Sequence, residues 1–184
     1  MIRVAFRGKQ RRREHGQAMT EFALVAPIFF LLVFGIIELG ILFGGQNGLV
    51  AATRELARYA APYRVKTAVD ASSVCADTRL GTQLTGFLKQ SIPGYVSTNV
   101  ASRQVVYSWH TNPLVTGQPQ TYYVQLQIKV VYKFGLHVPL VSGILDRFDG
   151  TTDNKIQLDA TEQMRIENNN AEMTTTYADV TCNI

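Results

Sequence analysis

The chain has 184 residues, 46% of them hydrophobic and 17% charged, enough apolar material for one packed domain and too much for a disordered tail. A net charge of +4 invites a nucleic-acid reading, but the charge is concentrated: Arg3, Arg7, Lys9, Arg11, Arg12 and Arg13 stand against Glu14 alone in residues 1–16. Beyond them acidic residues slightly outnumber basic ones, so no nucleic-acid partner is expected.

Residues 22–45 contain one charged side chain, Glu38. As a helix this segment is about 36 Å long, somewhat more than the ~30 Å hydrocarbon core of a bilayer, and a soluble core helix seldom runs so far without a polar face. The basic block in front of it holds that end on the cytoplasmic side, so residues beyond about 46 lie outside. The lipid bilayer is therefore the first expected partner. An oxidising exterior favours a disulfide between the two cysteines, Cys75 and Cys182, which sit in no metal-ligand pair; two unpaired buried thiols are the alternative.

An ordinary secretory signal loses its apolar stretch on cleavage, because the cut follows that stretch. Here the order is reversed: a basic leader ends at Gly16, and Gln17, Ala18, Met19, Thr20, Glu21 and Phe22 precede the apolar run. Glycine, four residues, glutamate and an aromatic in this setting resemble the site cut by prepilin peptidases of type IV pilus systems. Glycine suits a protease that needs an extended backbone free of a side chain. The stretch GQAMTEFALVAP at 16–27 and AATRELARYAA at 51–61 resemble the TadE-like family of pseudopilins of tight-adherence (Flp) pili. The resemblance is weaker over residues 124–167, where a strand pair ends in Met164, Arg165, Ile166 and Glu167, and residues 68–120 match nothing nameable.

The resemblance implies cleavage between Gly16 and Gln17, with Glu21 as the fifth mature residue facing the free amine of a neighbouring subunit and Phe22 beside it. A unit charge about 4 Å from that carboxylate would offer roughly 4 kcal/mol at an effective dielectric near 20, before desolvation. A solvated glutamate at the membrane edge is the plainer reading of the same residue. The first mature residue would be Gln17, whereas several pilin classes have a methylated phenylalanine there.

Pro27 should bend or loosen the helix near its start. Gly40, Gly44 and Gly48 recur every four residues and would let another helix approach closely, or simply loosen the membrane exit. Glu38 falls about 25 Å beyond Glu21, near the outer interface, where it either snorkels or meets a neighbouring subunit or an assembly-platform protein.

Leu49, Ala52, Leu56, Tyr59 and Ala60 extend the helix as an amphipathic stem that Pro62 ends, with its stripe packed on the following domain. Residues 63–100 are polar and mixed, with a short helix at 82–90 and a turn at Pro93 and Gly94. Residues 104–109 and 122–134 read as a β-hairpin around a Pro/Gly-rich loop at 112–120, and residues 155–166 as a third strand. Residues 136–148 are an apolar connection that either covers the sheet or touches the membrane surface, before a turn at Asp149 and Gly150.

No catalytic spacing occurs: His15, His110 and His137 are isolated, and no phosphate loop, G-x-S-x-G, H-E-x-x-H or calcium loop is present. Asp146, Asp149, Asp153 and Asp159 lack the terminal glutamate of a calcium loop and read as a solvated acidic segment, so no metal and no cofactor are expected. The fold class is α+β: a basic leader at 1–16, a transmembrane helix and stem at 17–61 packed on a small antiparallel β-sheet, and an α+β exterior domain at 62–184.

The resemblance implies a minor pilin-like subunit of the bacterial inner membrane that enters or primes a Tad-type pilus and serves assembly and adhesion, not an enzyme. Its expected partners are prepilin peptidase, other pilins or pseudopilins, the inner-membrane assembly platform and the bilayer. An uncleaved single-pass scaffold or receptor, and an exported hydrolase with an unrecognised site, remain the alternatives.

Overall fold

The computed structural model describes residues 11–114, 116–117, 119–150, 152–166, 173 and 175–184. The leader residues Arg3, Arg7 and Lys9, and Glu167, lie outside the described residues. Among the described residues the elements run in order α1 (Arg11–Ala60), α2 (Ala68–Ala76), α3 (Thr78–Ser91), a 3₁₀ turn (Ser97–Asn99), β1 (Val100–Thr111), β2 (Tyr122–Gly135), α4 (Pro139–Asp149), β3 (Lys155–Ile166) and β4 (Val180–Asn183). The chain is α+β, as its pattern of elements predicts.

α1 runs unbroken through 50 residues, about 75 Å at the standard rise. The apolar run and the stem are thus one helix, with Pro27 inside it. Its end comes at Ala60, two residues before Pro62, because the residue preceding proline is pushed out of the helical region.

α2 begins with a reciprocal cap: the Asp70 amide donates to Thr67 Oγ1 (3.2 Å) and the Thr67 amide to Asp70 Oδ2 (2.9 Å). Hydrogen bonds to the carboxylate from the backbone N–H groups of Thr67 and then Lys66 hold the Asp70 carboxyl below its usual range. Asp77 closes α2 and opens α3, its Oδ1 accepting the Arg79 amide at 2.9 Å. Leu80, Leu84 and Leu88, four residues apart, give α3 one fully buried stripe. The short helix expected at 82–90 is therefore a 14-residue helix, and α2 before it was not expected at all.

The sheet is antiparallel in the order β3-β2-β1-β4. Alternation on β1 and β2 sends Val105, Tyr107, Trp109, Val124, Leu126, Ile128 and Val130 into the core. Helices cover that side: α1 packs on α3, β2 and β3, and its Leu49, Ala52, Leu56 and Ala60 are buried. The stem stripe thus meets the domain as its spacing predicts; Tyr59 is only partly covered. The opposite side of the sheet is polar, with Gln125 Nε2 donating to Gln163 Oε1 at 2.7 Å across β2 and β3.

Cys75 in α2 and Cys182 in β4, 107 positions apart in sequence, are joined by a disulfide with Cα atoms 5.7 Å apart. The bond fastens the four-residue edge strand β4 to the helical layer. In the chain-entropy model such a loop is worth up to about 4.7 kcal/mol.

Candidate functional site: the exposed helix and its junction with the domain

The proposed processing residues sit near the start of α1. Gly16 lies inside the helix, its carbonyl accepting a hydrogen bond from Thr20 Oγ1 (2.9 Å), and Gln17 Nε2 donates to Glu21 Oε1 (3.1 Å). A protease that reads an extended backbone would first have to unwind this turn. Glycine is about 1 kcal/mol poorer than alanine in a helix interior, so Gly16 lowers that cost. Glu21 is exposed and Phe22 is 67% exposed, neither covered by the domain that follows α1.

The same exposure continues upward. Val25, Ile28, Phe29, Leu32, Ile36 and Ile37 are all at least half exposed, and Phe30 meets Phe29 and Phe34 of its own helix, ring centres 5.7 and 6.0 Å away. Among the described residues α1 is the one helix long and apolar enough to cross a membrane. So large a contiguous apolar surface needs lipid or other apolar helices around it.

The domain begins to grip α1 at Glu38. This side chain is 1% exposed, and its Oε1 accepts the backbone N–H of His137 at 2.8 Å, with His137 Nδ1 3.8 Å away. Its Oε2 is buried with no hydrogen-bond partner among the described residues. Glu38 therefore neither snorkels nor reaches outward here: the segment between β2 and α4 covers it from within the chain. Burying a carboxylate is tolerable only with such a donor. No sequence signal could have paired residues 99 apart.

The glycines divide. A Cβ at Gly40 or Gly44 would meet nothing within 4 Å, leaving that face open to another helix. Gly48 is used inside the chain, because a Cβ there would overlap the backbone carbonyl of Ser91 at the end of α3. Gly45, which the spacing argument passed over, is its counterpart on the sheet side: a Cβ would come within 2.6 Å of Phe134 Cε2. Higher still, Gln46 Nε2 donates to the Asp159 carbonyl at 2.9 Å and Arg54 Nε to Glu162 Oε1 at 2.7 Å, tying the stem to β3.

Elsewhere Ser108 Oγ and His110 Nε2 stand 3.1 Å apart on β1, the only nucleophile-and-base contact among the described residues. They are neighbours on one exposed strand face, and no carboxylate among the described residues bonds the imidazole to orient it. Arg165 lies over the Tyr123 ring at 4.4 Å beside a cleft shared with Asn112, Gln125 and Gln163. Of the loosely grouped aspartates, Asp153 takes the Lys133 ammonium (3.2 Å) and the Lys155 amide (3.2 Å), and the side chains of Asp146 and Asp149 lie outside the described residues.

Fold and exposure together define a protein with one long, exposed apolar helix among the described residues, of a length that suits membrane anchoring, and a disulfide-closed α+β domain. Residues 16–58 match the family model described as TadE-like protein, so the chain is similar to that family over this part of α1. No curated protein and no solved structure matches it.

Proposed function

We propose that the protein is a minor pilin-like subunit of a Tad-type pilus, held in the inner membrane by α1 with its N-terminus cytoplasmic, and cut after Gly16 by prepilin peptidase. Cleavage leaves α1 whole and exposes a new amine at Gln17. Glu21 then offers its carboxylate to the amine of a neighbouring subunit, and Gly40 and Gly44 admit a close helix. The exterior domain rides outside, giving a subunit too bulky for a shaft of very short pilins and suited to priming assembly or to adhesion. It acts as an assembly component and not as an enzyme.

One observation carries this reading: the TadE-like match coincides with a helix whose membrane-length part is left bare by its own domain. A helix so built needs partners from outside the chain.

The test is a count of surface pili, with immunoblotting of the sheared pilus fraction, in cells lacking the gene. Wild-type protein should restore pili and Glu21→Ala should not, with the subunit found at substoichiometric level. Unchanged pili in the deletion strain would leave the membrane scaffold or receptor. Stoichiometric recovery along the shaft would make the subunit a major one.

A further inference from the structure

We infer that α4 is a membrane-surface helix, one side packed on the domain and the other resting in the outer interface of the bilayer that α1 crosses. The inference rests on α1 spanning that bilayer.

The argument is one of depth. If the apolar run enters the inner boundary at Phe22, about 20 further residues at 1.5 Å each use up a hydrocarbon core of ~30 Å, which puts the outer boundary near residue 42. The chain's own domain reaches below that level, since the His137 amide is bonded to Glu38, about 6 Å deeper. α4 starts two residues after His137 and packs on both α1 and β3. Whatever α4 leaves uncovered next to α1 therefore lies at the headgroup and upper acyl level.

What it leaves uncovered suits that level. Toward the domain α4 buries Val141 and Ser142, the latter donating from Oγ to Asn154 Oδ1 at 3.0 Å. Away from it Ile144 is 51% exposed and Gly143 is open, while Phe43, just past Glu38 along α1, is 66% exposed. Arg147 is exposed on the same side, so its charge can stay among the headgroups while Ile144 meets the upper acyl chains. A short helix presenting such residues toward lipid lies in the plane of the interface. The contact also gives Glu38 a reason to be covered: at this depth an uncovered carboxylate would face acyl chains.

The structure supplies its own labelling scheme, because the two cysteines are bonded and no free thiol exists among the described residues. Full-length protein carrying Ile144→Cys, labelled with an environment-sensitive fluorophore, is reconstituted in phosphatidylethanolamine/phosphatidylglycerol vesicles containing nitroxide lipids of defined depth. Gly143→Cys is a second reporter where a Cβ meets nothing. Leu32→Cys reports the span. Leu114→Cys, 80% exposed in the β1–β2 connection at the far end of the strands, reports the aqueous side.

Labels at 144 and 143 should be quenched several-fold more than the label at 114, and more by shallow nitroxides than by deep ones; the label at 32 should prefer deep ones. Labels at 143 and 144 behaving like 114, with 32 quenched, would overturn the inference and leave the span intact. Loss of quenching at 32 would remove the span and the inference with it. Quenching at 144 that disappears as the protein-to-lipid ratio rises would mean that a second copy covers α4, which also overturns it.

Discussion

Residues 22–45 and 46–60 belong to one continuous helix, yet they obey different rules. In the lower stretch apolar residues occur all round the helix and nearly all are exposed; in the upper stretch they form a stripe, Leu49, Ala52, Leu56 and Ala60, and all four are fully buried. Helix formation is common to both, and the partner is what differs. The upper stretch is completed by its own sheet and α3, the lower one by lipid or by other chains.

Changes in the domain that grips the upper stretch should cost most. Cys75→Ser with Cys182→Ser frees β4 from α2 and should lower domain stability by about 2–5 kcal/mol, read by denaturant titration in detergent. The helix signal of the lower stretch should persist under the same conditions. If α1 melts with the domain, the two stretches are not independent.

Alkaline pH probes the same core from another side. Tyr107 is fully buried with no partner for its hydroxyl among the described residues, and burial, aided by Tyr63, pushes its phenol up to about 12. A phenol raised in the folded state contributes stability that is complete below the unfolded value near 10 and is lost as pH rises to about 12. Two units correspond to at most about 2.7 kcal/mol. Tyr107→Phe should flatten stability across this window, and an unchanged alkaline limb would assign the loss to other groups.

The glycines sharpen the comparison directly. Gly48→Ala forces a methyl against the Ser91 carbonyl and should cost about 1–3 kcal/mol of domain stability. Gly44→Ala, one turn below, meets no obstacle and should not lower the melting temperature, alanine being the better helix former, while weakening association with other helices. Equal effects at both positions would erase the boundary between the stretches.

At that boundary, Glu38→Ala strands the His137 amide and should cost about 1–3 kcal/mol, with Glu38→Gln retaining most of it. The smallest effect should come from Arg54→Ala, whose ion pair with Glu162 is largely solvated and worth about 0.2–1 kcal/mol.

Legibility followed the same divide. The long apolar helix, the stem and β3 were readable because periodicity is local, and the predicted strand at 155–166 coincides with Lys155–Ile166. β4 was not, since four residues become a strand only because β1 offers an edge and Cys75 a covalent tether. α2 was hidden in a polar segment whose signal was the Thr67 and Asp70 cap rather than any apolar stripe. α4 looked like a connection because its 11 residues are too few to show a period clearly. At the junction, Gly48 was legible as a close-packing residue but its partner was not, and Glu38 was legible as an anomaly whose answer lay in His137, far along the chain.

The most direct measurement is the intact mass and N-terminal sequence of protein extracted from membranes of cells with and without prepilin peptidase, alongside the Gly16→Ala variant. The account predicts loss of residues 1–16 and a new terminus at Gln17, dependent on the peptidase and blocked in the variant. A membrane form still beginning at residue 1 or 2 would contradict it, and the role given to Glu21 would fall with it.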